Sequence, residues 1–380
     1  MKKILSFDFG ASSGRAMISS FDGEKITMEE IHRFSNDTII VNGTMYWDIL
    51  RLFFEIKTSI TKAVNSGGFD AIGIDTWGVD FGLIDKRGKL LSNPVHYRDL
   101  RTEGIPEKVF ETISKEEIYN RTGTQCMRIN TLYQLMYLKE NEPEIFENTE
   151  KVLLIPDLFA YMLTGEMRAE ASIASTTNLY NPYKRDWDYE LIERLGLNKN
   201  LFPEIIKAGN IYGYLTDEIC EELGCEKVPV IAVCAHDTAS AVAATPSFAD
   251  DFVYISCGTW SLFGIELPEP IINDEVCKLN FTNEGGFKDT VRFLKNIMGL
   301  WLIQESRRQW RREGEEVVST NLKKKRWLLS PLNALLMLMT RCLNRQETCP
   351  AELRSFARKQ VSMFPRPEAK LCAAFTRVLQ

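Results

Sequence analysis

Short apolar runs separated by turn residues dominate the first part of the chain and predict β-strands. Such runs occupy residues 3–9, 15–21 and 26–34, with Gly- and Ser-rich or Asp-Gly turns between them. Residues 47–64 instead place apolar side chains three and four positions apart, which predicts an amphipathic helix. A strand of the buried type follows at 71–75. Hairpins followed by a helical crossover indicate a mixed α/β sheet.

The middle of the chain, from about residue 102 to residue 224, has mostly helical spacing. The helices predicted there are Pro106–Ile118, Leu132–Glu140, Asp157–Leu163 and Tyr189–Leu195. A continuous apolar run, Val228–Ala235, then predicts a buried strand. A short helix of small residues is predicted at Ala239–Ala244.

A second strand–turn–strand unit begins near residue 252 and echoes the first one. Its predicted strands are Phe252–Ser256 and Trp260–Ile265, and its turn again combines Gly with hydroxyl residues. Two such units facing each other would place two phosphate-contacting turns across one cleft. Farther along, the apolar segment Phe293–Glu305 predicts a core helix, on which Asn296 and Gln304 lie about two turns apart.

Composition excludes several classes of protein. Hydrophobic residues make up 44% and charged residues 26%, as in ordinary globular chains, and 380 residues suggest two or three domains. No apolar window is long enough to span a membrane, and Asp8 interrupts the first apolar run too early for a secretory signal. The nine cysteines show no paired spacing, and the net charge is −6. We therefore expect a cytoplasmic protein with reduced thiols and with neither nucleic acid nor a membrane as partner.

The last part of the chain differs in composition from the rest. Residues 317–380 contain 12 basic and 3 acidic residues and no Gly, Asp, Tyr or Ile, whereas residues 1–316 carry a net charge of −15. At the usual frequency, about four glycines would be expected in a stretch of this length. We therefore hypothesise that residues 317–380 are an anomalous basic tail produced by an out-of-frame or replaced segment.

The segment Asp8–Arg15 (DFGASSGR) is the strongest local signal for chemistry. A Gly-rich turn between strands exposes backbone N–H groups that can cradle phosphate oxygens, and two serines and Arg15 add donors. Asp8, at the end of the strand, could hold a hydrated Mg²⁺, which prefers one or two carboxylates plus phosphate oxygens. The segment lacks the Gly-Lys-Ser/Thr run of a P-loop, and a plain hairpin turn explains it equally well.

Two further segments combine acidic residues with strand ends. Asp237, between a buried strand and a helix, lies where α/β folds bind ligands and could accept the proton of an alcohol during phosphoryl transfer. For that segment alone, a helix N-cap is the better explanation. Asp75 and Asp80, with Trp77 and Gly78 between them, could form the wall of a polyol pocket. A bent strand with a core tryptophan is the simpler interpretation of those residues.

Taken together, these segments resemble the FGGY family of carbohydrate kinases. The segments that carry the resemblance are Asp8–Arg15, Gly73–Phe81, Tyr97–Asp99, Ala235–Ser240, Ser256–Ser261, Asn283–Gly286, Phe293–Glu305 and Trp310-Arg311. They cover residues 1 to about 316, and their order and spacing make the resemblance specific. It implies an α/β, actin-like ATPase (RNase H-like) two-domain fold with the second domain truncated.

The resemblance also implies an activity and the residues that carry it. The implied reaction is phosphoryl transfer from ATP, with Mg²⁺, to the C1 hydroxyl of L-rhamnulose in rhamnose catabolism. Asp237 would be the proton acceptor and Asp8 a Mg²⁺ ligand. The residues implied to contact ATP are Ala11, Ser12, Ser13, Gly14, Arg15, Thr259 and Gln304. The residues implied to contact the sugar are Gly78, His236, Thr238 and Asn296.

The chain also departs from the family pattern. It has no glycine after Gly314, so the late Gly-rich loop that closes over adenosine in the family cannot be present. The resemblance implies a sugar- and phosphate-binding domain at 1–245 and the start of a nucleotide-binding domain at 246–316, before the basic tail. Two alternatives stay open: a kinase for another ketose, such as fuculose or xylulose, and a catalytically inactive remnant without the adenosine loop.

Overall fold

A computed structural model describes residues 1–247, 252–257 and 260–298 of the chain. All described residues belong to one compact unit, Met1–Trp301. Thr259, Gln304 and the whole basic tail lie outside the described ranges.

The described residues form both strands and helices. The strands are β1 (Lys2–Phe9), β2 (Ser13–Phe21), β3 (Ile26–Ser35), β4 (Ile39–Val41), β5 (Thr44–Tyr46), β6 (Ala71–Thr76), β7 (Phe81–Asp85), β8 (Thr149–Leu154), β9 (Ala169–Glu170), β10 (Tyr180–Asn181), β11 (Asp186–Trp187), β12 (Ile205–Ile206), β13 (Ile211–Tyr214), β14 (Pro229–Ile231), β15 (Val253–Cys257), β16 (Trp260–Leu267), β17 (Phe281–Gly285) and β18 (Val291–Met298). The helices are α1 (Ile49–Asn65), α2 (Ile105–Thr112), α3 (Lys115–Thr122), α4 (Thr131–Asn141), α5 (Pro143–Glu147), α6 (Ile155–Thr164), α7 (Ala171–Ala174), α8 (Tyr189–Arg194), α9 (Asp217–Leu223), α10 (Asp237–Ala243) and α11 (Asp274–Lys278).

Six strands form the central sheet, in the order β13-β14-β6-β1-β2-β3. β1, β6 and β14 run parallel, whereas β2, β3 and β13 are antiparallel to their neighbours. The predicted mixed α/β sheet is therefore confirmed. The strand predicted at Val228–Ala235 is shorter than expected, because only Pro229–Ile231 forms a strand of the sheet.

Side-chain alternation in β1 decides which face of this sheet is buried. Leu5, Phe7 and Phe9 are completely buried in the core that α1 and α6 share with the sheet. The ring of Phe9 stacks on Phe159 of α6 with ring centroids 4.9 Å apart. Because successive side chains of a strand point to opposite faces, Asp8 faces the other side. The sheet thus presents one apolar face to the core and one face with polar side chains.

A second core lies among the helices of the middle segment and the β7–β8 pair. The single helix predicted at Pro106–Ile118 is wrong, since α2 and α3 replace it. The side-chain oxygen of Ser114 accepts a hydrogen bond of 3.1 Å from the backbone N–H of Glu117 and starts α3. This Ser-x-x-Glu spacing is typical of a helix start. Within the described ranges, no helix has the length and apolar character required to cross a bilayer.

A four-stranded antiparallel sheet, in the order β15-β16-β18-β17, follows α10. The predicted strand–turn–strand unit is confirmed by β15 and β16. The core helix predicted at Phe293–Glu305 is wrong for its described part, because residues 293–298 belong to β18. β18 pairs with β16 on one side and with β17 on the other, and Leu294 is completely buried. Short apolar runs fit a helix and a buried strand equally well. Here the pairing of β18 with a strand on each side makes the segment a strand.

The outer edge of β17 is hydrogen-bonded to the middle segment of the chain. The phenol hydroxyl of Tyr119 donates to the carbonyl of Phe281 over 3.0 Å. Asn283 donates from both its backbone and its side chain to the carbonyl of Gly123. These bonds fix the four-stranded sheet against the helices that precede it.

Candidate active site

Three carboxylates gather at one edge of the central sheet, on its polar face. Asp8 and Asp75 are paired residues of the parallel strands β1 and β6. The chain after β14 reaches the same edge, because the N–H of Thr76 donates to the carbonyl of Ala235 over 2.9 Å. Burial and the charges of Asp8 and Asp237 raise the pKa of Asp75 well above its ordinary value. The carboxyl ends of parallel strands are where α/β folds bind ligands.

Asp237 is the first residue of α10, and the N-cap residue is His236. The N-cap interpretation of Asp237 is therefore wrong, although its carboxylate still accepts a backbone bond near the helix start. Its Oδ1 atom accepts from the N–H of Thr238 over 2.6 Å and from the hydroxyl of Thr238 over 3.1 Å. About one third of the Asp237 side chain stays exposed, at 33%.

The surroundings of Asp237 change its acidity. Burial raises the pKa of the Asp237 carboxyl, the charge of His236 and the hydrogen bonds from Thr238 oppose this rise, and the charge of Asp8 adds to it. A carboxylate with a raised pKa is a better proton acceptor, because its basicity lies nearer to neutral pH. Asp237 therefore combines partial exposure with a pKa above the ordinary value, and both properties favour a general base.

The turn between β1 and β2 is fixed by a hydrogen bond within the turn and by one from the residue that follows β3. The N–H of Gly10 donates to the carbonyl of Ser13 over 2.9 Å, and the side chain of Asn36 donates to the carbonyl of Gly10 over 2.9 Å. Ser12 is exposed at the tip of the turn. Gly14 faces the ring of Phe34, and a Cβ atom there would lie 2.3 Å from the ring carbon Cε2.

Asp8 and Arg15 are opposite each other in β1 and β2 and form an ion pair. Oδ2 of Asp8 accepts from Nε of Arg15 over 2.8 Å and lies 2.7 Å from its Nη2. Both side chains are more than one third exposed. Among the described residues, no group of three or more His, Cys, Asp or Glu side chains could hold a metal ion. Mg²⁺ still suits Asp8, because one carboxylate suffices when phosphate oxygens and water complete the coordination shell.

The segment around Gly78 is largely buried. Trp77 is 5% exposed and Asp80 is 1% exposed, so Asp80 points into the core and not into a polyol pocket. The simpler interpretation of this segment, a core tryptophan at a bend, is correct. Gly78 is half-buried, and a Cβ atom there would lie 3.2 Å from Thr176. Its neighbour Val79 has a φ of 68°, a strained conformation for a β-branched residue.

Asn296 belongs to β18, on the same face as Arg292 because the two residues are four positions apart. Its side-chain amide lies 3.5 Å from the side-chain oxygen of Gln125. Arg292 contacts His236 from the same face of the strand. The structure thus brings together Asp8, Arg15 and the residues from His236 to Thr238. The strand face that carries Asn296 is turned towards His236 and Gln125.

A buried ion pair, formed by two residues that no sequence motif points to, lies beside His236. Glu284 and Arg292 are opposite each other in β17 and β18, with Oε2 and Nη2 2.9 Å apart. Although burial alone would raise it, the charge of Arg292 and contacts with His236 hold the pKa of Glu284 below its usual value. β17 is largely polar and β18 also carries Lys295 and Asn296, so the two charges do not stand out in the sequence, and only the register of the strands pairs them.

A sequence model of the FGGY family of carbohydrate kinases, N-terminal domain, matches residues 3–244. This chain belongs to the FGGY family of carbohydrate kinases. The model of the family's C-terminal domain matches residues 253–353 and so continues past residue 316, into the segment of different composition.

Individual relatives and solved structures agree with the FGGY assignment. The chain is 44% identical over 310 residues to a rhamnulokinase of Bacteroides thetaiotaomicron, which covers 81% of this chain and 64% of the relative. It is 46% identical over 311 residues to a rhamnulokinase of Halalkalibacterium halodurans, covering 82% of this chain and 66% of the relative. The chain thus spans slightly less than two thirds of the length of these relatives.

The ligand-bound xylulose kinase of Lactobacillus acidophilus has a similar structure, with a TM-score of 0.71 at 19% sequence identity. The similarity covers 81% of this chain and 62% of that chain. The described residues therefore have the α/β fold of the FGGY kinases, which is of the actin-like ATPase type.

Proposed function

We propose that this FGGY-family chain is a ketose kinase that transfers the γ-phosphoryl group of ATP to the C1 hydroxyl of L-rhamnulose. The observation that carries the proposal is the position of Asp237, partly exposed at the strand-end edge of the sheet and electrostatically coupled to Asp8. The identity of 44–46% to rhamnulokinases supports L-rhamnulose as the acceptor.

Asp237 is the proton acceptor of the proposed reaction. Its carboxylate takes the proton of the C1 hydroxyl while the C1 oxygen forms a bond to the γ-phosphorus. The bond between the γ-phosphorus and the oxygen that bridges it to the β-phosphate breaks, and ADP leaves. Such a base contributes about 10²–10⁴-fold to the rate. Mg²⁺, bound at Asp8, would neutralise negative charge on the phosphate oxygens.

The remaining proposed contacts divide between the two substrates. Those to ATP are made by Ala11, Ser12, Ser13, Gly14 and Arg15, with Thr259 and Gln304 from outside the described residues. Those to the sugar are made by Gly78, His236, Thr238 and Asn296. Because ATP is the phosphoryl donor, we propose the cytoplasm as the place of the reaction.

The test is a coupled ADP-release assay on the full chain with Mg·ATP and each of L-rhamnulose, L-fuculose and D-xylulose. We expect turnover with L-rhamnulose and a loss of about 10²-fold or more in Asp237→Asn. Turnover with only another ketose would identify a different acceptor. A folded chain that phosphorylates none of the three sugars would contradict the proposal.

Asp188→Asn is the matched control for Asp237→Asn. Asp188 is a completely buried carboxylate that pairs with Arg121 over 2.8 Å. Its other hydrogen bonds come from the side chain of Asn181 and the backbone of Leu191, neither of which belongs to the proposed site. We expect Asp188→Asn to lower stability but to keep the kcat of the folded protein.

A further inference from the structure

The buried ion pair of Glu284 and Arg292 needs an explanation beyond stability. Arg292 is 0% exposed, and its Nε atom donates to the carbonyl of Gly285 over 3.0 Å. Removing two charges from water is so unfavourable that an apolar pair of similar volume often stabilises a protein as well or better. The contacts of the pair therefore indicate its role more directly than its burial does.

Both members of the pair reach the same ring nitrogen of His236. Nη2 of Arg292 lies 2.9 Å from Nδ1 of His236, and Oε2 of Glu284 lies 3.2 Å from it. On the other side of the ring, Nε2 lies 3.5 Å from Oδ1 of Asp237. A continuous chain of polar contacts thus runs from the four-stranded sheet through His236 to Asp237.

The protons on this chain follow from the chemistry of arginine. Arg292 is always protonated and can only donate, so a ring that accepts its hydrogen bond at Nδ1 carries its own proton at Nε2. A doubly protonated ring, which donates from Nδ1 to Glu284, also has a proton at Nε2. In the remaining form, a neutral ring with its proton on Nδ1, the lone pair of Nε2 would face the carboxylate of Asp237, which is repulsive. Both favourable forms therefore present Nε2–H to Asp237.

The backbone at His236 is held by different groups. Its N–H donates to the hydroxyl of Ser172 over 3.2 Å, and the N–H of Ala235 donates to Glu170 over 3.0 Å. Glu170 is itself buried and accepts from the hydroxyl of Ser172 over 2.5 Å. Ser172 and Glu170 therefore fix the main chain at His236, whereas the Glu284–Arg292 ion pair contacts its ring.

We propose that Glu284 and Arg292 are positioning residues that hold the His236 ring in the form that presents Nε2–H to Asp237. The catalytic meaning of this inference rests on the proposed kinase function, whereas the state of the ring does not. Because the pair belongs to β17 and β18, the site is complete only when the four-stranded sheet is docked against the preceding domain.

Imidazole ¹⁵N NMR of the full chain tests the state of the ring directly. The chain has three histidines, so His236 can be assigned by the signals that disappear in His236→Asn. We expect a protonated Nε2 in the wild type. In the double variant Glu284→Gln/Arg292→Met, which removes both charges together and leaves no unpaired buried charge, we expect a mixture with protonated Nδ1. The control Asp188→Asn should leave the His236 signals unchanged.

Steady-state kinetics test the consequence for catalysis. Groups that orient a functional histidine in metal sites contribute about 10–100-fold. We expect the double variant to lose kcat by a factor of this order while its KM for Mg·ATP stays constant, and Asp188→Asn to keep kcat. An unchanged ring signal in the double variant would overturn the positioning role, whereas a changed signal with unchanged kcat would overturn its consequence for catalysis. If no ketose is phosphorylated, the kinase proposal fails while the NMR result still decides the state of the ring.

Discussion

The variant Asp80→Asn probes the buried carboxylate behind Gly78. Both oxygens of Asp80 accept hydrogen bonds. The donors are Trp47 Nε1 at 2.6 Å, Trp77 Nε1 at 3.0 Å, the backbone N–H of Tyr97 at 3.2 Å, and Gln134 Nε2 at 3.1 Å. Burial raises the pKa of Asp80 to about 6 from an ordinary value of 3.8, against the effect of these donors.

Asparagine can replace only part of this arrangement. Its oxygen can serve the three donors at Oδ2, but its amide then faces the side-chain nitrogen of Gln134. Gln134 cannot rotate to present its oxygen without loss, because that oxygen accepts from Arg101 over 2.9 Å. A buried donor left without an acceptor costs about 1–3 kcal/mol.

The stability difference between the wild type and Asp80→Asn should also depend on pH. A carboxyl whose pKa is raised on folding holds its proton more tightly in the native state, so wild-type stability falls as pH rises from about 3.8 to about 6. A shift of roughly two pKa units corresponds to about 3 kcal/mol, of which roughly half falls between pH 5 and pH 8. Asparagine does not ionise in this range. The stability deficit of Asp80→Asn should therefore shrink by about 1–2 kcal/mol from pH 5 to pH 8.

Denaturant unfolding of the full chain, followed by tryptophan fluorescence at several pH values, measures this change. Asp188→Asn is again the control. Although burial opposes it, Arg121 and other donors lower the pKa of Asp188, so this group stays ionised throughout the range and its deficit should be flat. A deficit of Asp80→Asn that is as flat as the control would refute the raised pKa of Asp80.

Two further substitutions test close approaches of glycine. In Gly14→Ala the new Cβ would lie 2.3 Å from the ring of Phe34, so we expect the unfolding free energy to fall by about 1–3 kcal/mol. Adding Phe34→Leu should recover part of this loss. A loss that Phe34→Leu does not reduce would show that this contact is not the cause. In Gly78→Ala the Cβ would lie 3.2 Å from Thr176. We expect a higher KM for the ketose and an unchanged KM for Mg·ATP. An equal rise of the two KM values would contradict the proposal that Gly78 contacts the sugar.

Local alternation made most of the central sheet predictable. Leu5, Phe7 and Phe9 alternate with polar residues, and this pattern fixes both the strand and the face that α1 covers. The same reasoning was insufficient at Phe293–Met298, where apolar spacing suits a helix and a buried strand alike. The choice there depends on β16 and β17, which pair with the segment from both sides.

The candidate site was predictable only where a turn or a strand end carries it. Asp8 and Asp237 could be singled out because each lies at the end of a predicted strand. The direction of a side chain after a bend is harder to predict: the sequence allowed Asp80 to line a pocket or to lie in the core, and the structure places it in the core. Glu284 and Arg292 meet only through the register of two antiparallel strands, which no local pattern determines.

The docking of β17 on the middle segment has a consequence for how the chain acquires its structure. Tyr119 and Phe281 are 162 positions apart, so their hydrogen bond closes one of the longest loops in the described residues. Contacts of such separation form late, because the entropy of loop closure must be overcome before they stabilise anything. As a ribosome releases the chain from its N-terminus, the central sheet can assemble while residue 281 is still to be made. Until then the carbonyl of Gly123 is open to water, and it marks where the later sheet will attach.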